Sequence, residues 1–458
     1  MDLPFSESFK IKMVAPIKKS TKEERLKWIK EAKYNLFNLK SEQVFIDLLT
    51  DSGTGSMSEK QWSEMLLGDE AYAGASSYYK MKNAINSILG FDYFLPTHQG
   101  RAAENVLFSV LVEAGDVVPG NSQFDTTKGH IEFRKAKAID CTIDEAFDTE
   151  LEYPFKGNAD IKKLEKVFED YDNQKIKFII ITLTNNTAGG QPASMANLKA
   201  IREFADEKGV LVIFDSARFA ENAYFIKKRE KGYENKTIKE IVAEMFSYAD
   251  AMTMSSKKDA IVNMGGFIAM RDKKLFEKAS MYNIMFEGFL TYGGMSGRDM
   301  NALAQGLDEG TEFETLDTRV RQVEYLGSQL IDYGVPVQRP IGGHAVFINA
   351  GKLFHNMPRE EFPAQKLGIE LYKEAGIRGV EIGAILADRD PETGKNRFGG
   401  IDFLRLAIPR RTYTNNHMDV VVAAIKNIYD RRSEIKTGVK IVKEAPIMRH
   451  FTVELEEL

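Results

Sequence analysis

The stretch VLVIFDSARFAEN, residues 210–222, decides how this chain is read. An unbroken apolar run ends in Asp215, and Arg218 follows three positions on. A strand covered on both faces has no polar alternation, so the run predicts a buried strand of a parallel sheet. Downstream, AMTMSSKKD at 251–259 repeats the plan: a short apolar run, Ser255 and Ser256, then Lys257 and Lys258. Working outward, VVPGN near 117, KFIIITLTN near 177 and GGFIAM near 265 are further strand candidates. Helical patterns near 101–113, 160–171, 195–208 and 237–247 separate several of them. Strands alternating with helices predict an α/β fold around a mostly parallel, doubly wound central sheet.

Beyond about residue 311 the pattern changes. A long charged helix, the strand-like HAVFINA, a helix near 359–375, the strand-like FLRLAIP and a helix near 416–431 predict a smaller α+β domain. The expected division is an N-terminal segment 1–57 that joins the small domain, a large domain 58–310 and a C-terminal small domain 311–458. Ser20 and Glu23 have the spacing of a capping box and predict a helix running to about Tyr34. DPETGKNRFGG near 390 has the composition of a surface loop.

Bulk properties narrow the function classes. A formal net charge of -5 with scattered Lys and Arg argues against a nucleic-acid partner. No apolar run reaches the length of a membrane span, and no basic leader with an apolar core opens the chain. The single cysteine, Cys141, excludes an internal disulfide framework and suits a reducing cytoplasm. The six histidines form no metal-ligand spacing, which argues against a transition-metal enzyme.

Asp215 and the lysine pair together point to pyridoxal phosphate. The cofactor needs an amine to hold its aldehyde and a carboxylate to keep its ring nitrogen protonated. In open α/β sheets, ligands collect at the carboxyl ends of strands, where both groups fall here. Arg218 then reaches the phenolic oxygen. Asp215 would otherwise serve as a helix cap with Arg218 as its ion-pair partner. THQGRAAEN at 97–105 places Gln99, Gly100 and Arg101 ahead of a helical pattern, where free N–H groups and a guanidinium suit a phosphate. Ser255 offers a further hydroxyl. A Gly-Arg pair at a helix start also serves as a plain cap, and only its company with the lysine-bearing strand gives it meaning. No GxGxxG or Walker pattern competes for the phosphate role. These residues alone leave open which of Lys257 and Lys258 carries the cofactor.

LLTDSGTGSMS, GDEAYAG, PTHQGR, NNTAGGQP, DSARFAENAYFIK, MSSKKDAIVNMGG, IPRRTYT and RHFT occur in this order along nearly the whole chain. The series resembles the β-eliminating lyases of the aspartate-aminotransferase fold (fold type I), the family of tyrosine phenol-lyase and tryptophanase. The resemblance implies that Lys258 holds the cofactor, that Phe124 stacks on its ring and that Asn186 approaches the phenolic oxygen. It implies Thr50, Ser52 and Arg405 at the substrate α-carboxylate, with Arg405 brought over the cofactor by domain closure. It implies Tyr72 in acid-base steps at the leaving group. A monovalent cation, potassium or ammonium, is implied at Glu70 and the carbonyls of Gly53 and Asn263, with Glu70 coming from a neighbouring subunit of a homotetramer.

Three positions bear on the leaving group. Tyrosine phenol-lyase resembles FTTT, MERG and RFFT where this chain has FDTT at 124–127, VEIG at 380–383 and RHFT at 449–452. Asp125, Ile382 and His450 all look like the tryptophan-cleaving branch. An apolar Ile382 suits a fused ring, and Asp125 suits an indole N–H. His450 supports the same network, although a polar residue near a carboxyl end needs no such role. The expected reaction is elimination of L-tryptophan to indole, pyruvate and ammonium. The alternatives are phenol release from tyrosine, or an aminotransferase on the same fold.

Overall fold

Runs such as FIIIT and LVIFD build the centre of the largest sheet because β-branched and aromatic side chains fill both faces of a pleated surface. A computed structural model describes residues 5–390 and 393–458. Pro391 and Glu392 of the turn-rich stretch near 390 lie outside the described residues, as do residues 1–4. The large unit comprises 52–146 and 153–317. Its sheet holds β1 (Tyr93–Thr97), β2 (Val117–Asn121), β3 (Lys137–Asp140), β4 (Phe178–Thr182), β5 (Leu211–Asp215), β6 (Ala251–Ser255) and β7 (Gly266–Met270). The spatial order is β1-β7-β6-β5-β4-β2-β3. All neighbours run parallel except β7, which is antiparallel to both β1 and β6.

Every residue of β4 and β7 is buried, consistent with a sheet covered on both faces. The covering helices start where the sequence supplies caps. Ser194 accepts from Asn197 N–H, Thr237 from Glu240 N–H and Asp272 from Leu275 N–H. Three further helices carry site residues: α1 (Gly100–Leu111) after β1, α2 (Asp125–Phe133) after β2, and α3 (Phe219–Arg229) after β5. Each begins just past the carboxyl end of a strand, so three helix starts gather on one edge of the sheet.

The other unit comprises 1–51, 147–152 and 318–458. Its main sheet is antiparallel: β8 (Ala345–Asn349), β9 (Val380–Ile382) and β10 (Phe403–Ala407), in the order β9-β10-β8. Ile46–Asp47 pairs in parallel with Ile377–Arg378, which ties the N-terminal segment to the C-terminal part of the chain. The units change over after Asp51 and Asp317, where the sequence reading put 57 and 310, and residues 147–152, read as part of the large domain, belong to the other unit. The N-terminal capping box lies one residue later than expected, at Thr21 and Glu24, and the helix ends at Glu31. Ser20 and Thr21 both stand three residues before a glutamate. Here the hydroxyl of Thr21 accepts from Glu24 N–H at 3.2 Å while the Glu24 carboxylate accepts from Thr21 N–H at 2.8 Å.

Candidate active site

The carboxyl edge of the large unit's sheet carries a cleft lined by residues from all three helix starts. Gln99, Gly100 and Arg101 lie at the start of α1, Phe124 and Thr126 at α2, and Ala217 and Arg218 before α3. Asp215 arrives from β5, Ser255 from β6, and Lys257 and Lys258 from the turn after β6; Asn186 and Ser52 complete the wall.

Gly100 is required at the first position of α1. A Cβ there would stand 2.6 Å from the Cβ of Ser255, a separation side chains do not tolerate. Its absence lets the helix start press against β6, so backbone N–H groups and the Ser255 hydroxyl face one space. The positive helix end and the Arg101 guanidinium make that space an anion site. Gln99 is steadied from behind: its amide nitrogen stands 3.0 Å from Nε2 of His98, whose Nδ1 lies 2.6 Å from the Glu287 carboxylate.

Lys258 is buried, with Nζ 5.9 Å from the Phe124 ring centroid, whereas Lys257 is only half-buried and its carbonyl accepts from Gly53 N–H at 2.8 Å. Burial, then the nearby Arg101, draws the Lys257 amine below the ordinary lysine range. Asp215 is buried in the same cleft. Burial raises its carboxyl, against the pull of Lys258, the Ala217 N–H and Arg218. The helix-cap role open to Asp215 falls instead to Asp259, whose carboxylate accepts from Ala220 N–H at 2.7 Å and Glu221 N–H at 3.1 Å. Asp215 is thereby left facing the cleft, with Arg218 beside it.

Two acids escaped the sequence reading. Asp259 fixes the start of α3 immediately after the lysine pair. Glu104 lies one turn into α1, buried, and accepts from the Thr127 hydroxyl at 2.5 Å. Burial, followed by the charge of Asp215, pushes its carboxyl up to about 8. The signal for Glu104 was its position in the turn after Gly-Arg, which aims it toward the same strand ends as Asp215.

The donor set fits pyridoxal phosphate: a buried amine, a buried carboxylate, an aromatic ring, and an anion cup at a helix start that a Cβ would fill. Other expected residues lie elsewhere. Thr50, Arg405, Ile382 and His450 belong to the other unit. There Arg405, on β10, donates to the Leu49 carbonyl at 2.9 Å, which sets Thr50 alongside it. Ile382 packs with Phe37, Phe347 and Phe403, and the His450 ring lies edge-on to Phe37 at 5.9 Å. Asp125 opens α2 next to Phe124, and its carboxylate accepts from Thr126 N–H at 2.7 Å. Tyr72 is exposed and packs on Phe289 and Tyr292, outside the cleft. The Gly53 carbonyl accepts from the Asn263 amide at 2.9 Å, so these two expected cation ligands are neighbours. Glu70 instead accepts from Gly297 N–H at 2.9 Å and from the Arg298 side chain at 3.0 Å. Among the described residues, no cluster of three or more His, Cys, Asp or Glu side chains is arranged to hold a metal.

A family model described as Beta-eliminating lyase matches residues 47–424. The chain belongs to that family. This lyase is 68% identical over 458 residues, all of both chains, to a "Probable beta-eliminating lyase" of Trichomonas vaginalis. It is 47% identical, again over the full length of both chains, to a tyrosine phenol-lyase of Symbiobacterium. Among solved structures it resembles serine palmitoyltransferase from S. paucimobilis with bound PLP and myriocin, at a TM-score of 0.58 and 12% identity over 85% of this chain and 88% of that one. That likeness establishes the fold, a fold type I architecture. Among the described residues, no helix of the lyase is long and apolar enough to cross a membrane.

Proposed function

We propose that this lyase uses pyridoxal phosphate to eliminate the aromatic group of L-tryptophan, consuming one water and giving indole, pyruvate and ammonium. One observation carries the cofactor reading: Lys258, Asp215, Arg218, Phe124 and the start of α1 line a single cleft. The cofactor, held by these residues, supplies a ring that takes up the electron pair left when the substrate loses its α-proton. In this reading Gln99, Gly100, Arg101 and Ser255 hold the phosphate, Phe124 stacks on the ring, and Asn186 and Arg218 meet the phenolic oxygen. Asp215 keeps the ring nitrogen protonated. Lys258 would hold the aldehyde, and its amine would take the α-proton. Arg405, with Thr50 and Ser52, binds the substrate carboxylate, for which a guanidinium fork gives orientation as well as affinity.

Carbon leaves poorly, so the indole ring has to be protonated at carbon 3 before its bond to the β-carbon breaks. Asp125 steadies the charge that then appears on the indole nitrogen, help worth about 3 kcal/mol for one well-placed group. Ile382 offers an apolar wall and His450 a hydrogen bond on the indole side, while Tyr72, presented by a second copy of the chain, serves the leaving carbon. Potassium or ammonium bound by the carbonyls of Gly53 and Asn263, with Glu70 of a second copy, completes the site of a homotetramer. Broad exposure of Leu66, Leu67 and Tyr72 supports association of copies.

A second reading, phenol release from tyrosine, is favoured by the names of the relatives at 47% identity. Whole-chain identity weighs every position alike, whereas the leaving group meets few of them, and Asp125, Ile382 and His450 support indole. Product analysis with tryptophan and with tyrosine, each with and without potassium, separates the two. Faster release of indole than of phenol is expected, with potassium accelerating it; preferential phenol release would reassign the substrate.

A further inference from the structure

The segment after Ile382 and the segment before His450 are bolted together by a group the proposed chemistry does not use. Arg449 is the most deeply buried arginine among the described residues, at 1% exposure. Its Nη2 donates to the Ala384 carbonyl at 2.6 Å and its Nε to the Ile385 carbonyl at 3.1 Å, while Nη1 meets the Glu444 carboxylate at 2.7 Å. From the other side, the Asp388 carboxylate accepts from Met448 N–H at 2.7 Å and Arg449 N–H at 3.0 Å. Both ends of this bolt are strained: Asp388 has φ 59° and Met448 φ 50°, a region where side chains are disfavoured. The turn is also clamped at its start, where Glu381 accepts from Ile385 N–H and Leu386 N–H, each at 3.0 Å.

The bonds from Met448 and Arg449 to Ala384, Ile385 and Asp388 join stretches sixty or more residues apart in sequence, and each stretch carries a residue assigned to the indole side. Ile382 lies two positions before Ala384, and His450 directly follows Arg449. The two share a neighbour as well. Phe37 packs in the cluster of Ile382 and against the ring of His450, whose carbonyl accepts from the Asn35 amide at 3.2 Å. A flexible cation at position 449 could satisfy one of the carbonyls. The planar fork is needed to hold two successive carbonyls and a carboxylate at once.

We propose that Arg449 is a positioning residue for leaving-group selectivity: it locks Ile382 and His450 into one body, so that the aromatic ring meets a fixed wall. The proposal rests on the assignment of Ile382 and His450 to the leaving group made above. Lowered activity alone would not separate positioning from general support, so the test compares substrates. Arg449→Lys should lower kcat/KM for tryptophan by about tenfold while changing that for S-methyl-L-cysteine, whose small leaving group needs no aromatic wall, by less than about twofold. Asp388→Asn, which weakens the bolt from the opposite side, should act in the same direction and serves if the Arg449 variant does not fold.

A second readout does not depend on turnover. With ¹⁵N-histidine labelling, and His450→Asn to identify its signal, the His450 ring resonance should shift in Arg449→Lys and Asp388→Asn. Equal change on both substrates, or an unmoved His450 signal, overturns the proposal. If the unaltered enzyme releases phenol and not indole, the substrate reading fails, and tyrosine replaces tryptophan in the same ratio.

Discussion

A buried carboxyl beside another carboxyl has to keep its proton, and Glu104 is in that position. The group is pushed up from 4.5 to about 8 by burial and by Asp215. Between these two values the folded chain holds a proton that the unfolded chain releases, so folding takes up a proton and stability falls as pH rises through this range. The contribution is complete below about pH 4.5 and is lost by about pH 8. Glu104→Gln removes this slope. Thermal or urea unfolding of the cofactor-free protein should show the wild type losing stability relative to the variant by up to about 1.4 kcal/mol per pH unit in that window. A constant difference across the window would show that Glu104 is ionised throughout. At the same scale, Lys258→Ala should lower turnover by more than about a thousandfold and abolish borohydride-trapped label on the peptide spanning 257–258. Lys257→Ala should keep the label, read by mass spectrometry, because Lys258 is the buried amine of the pair and lies by the Phe124 ring.

At the scale of elements, the site is made by helices that begin where strands end. α1 contributes a polar start that works only because position 100 has no side chain. Gly100→Ala brings a methyl within 2.6 Å of Ser255 and forces α1 away from β6. Cofactor affinity should fall by about tenfold, equivalent to about 1.4 kcal/mol, as measured by titrating the cofactor-free protein and following visible absorbance. The far-ultraviolet circular dichroism should stay unchanged, since the helix itself accepts alanine well.

This scale also shows what the sequence carried. The runs ending in Thr182, Asp215 and Ser255 were legible because burial on both faces leaves an unbroken apolar signature. β3, with the sequence KAID, was not, because it lies at the sheet edge and its charged ends resemble a loop. The antiparallel direction of β7 was hidden for another reason: periodicity reports burial, and burial is the same for either direction. Among site residues, Asp215 and the lysine pair announced themselves by ending apolar runs. Glu104 did not, since one acid in a helix reads as solvent-facing until its neighbours are known. The pair Ile382 and His450 came from resemblance and not from pattern.

At the scale of the whole molecule, exposed apolar side chains are the main unspent resource. Leu66 is 88% and Leu67 68% exposed, and both lie at the end of the helix Glu59–Leu66 in the large unit. Each leucine withdrawn from water contributes about 1.5–3 kcal/mol, which favours covering them with another copy. The double variant Leu66→Glu, Leu67→Glu should lower the mass seen by light scattering, with the monomer gaining at the expense of the proposed tetramer. An unchanged mass would place the interface elsewhere.

The path of the backbone sets an order of events. Residues 1–51 leave the ribosome well before most of their companions, 147–152 and 318–458. Ile46 and Asp47 wait for Ile377 and Arg378 to be synthesised. At roughly 5–20 residues per second, residues 46–47 spend many seconds without their partners, while the two stretches of the large unit, 52–146 and 153–317, can already assemble. A released chain ending near residue 320 should therefore resist protease across the large unit and be cut readily before Asp51.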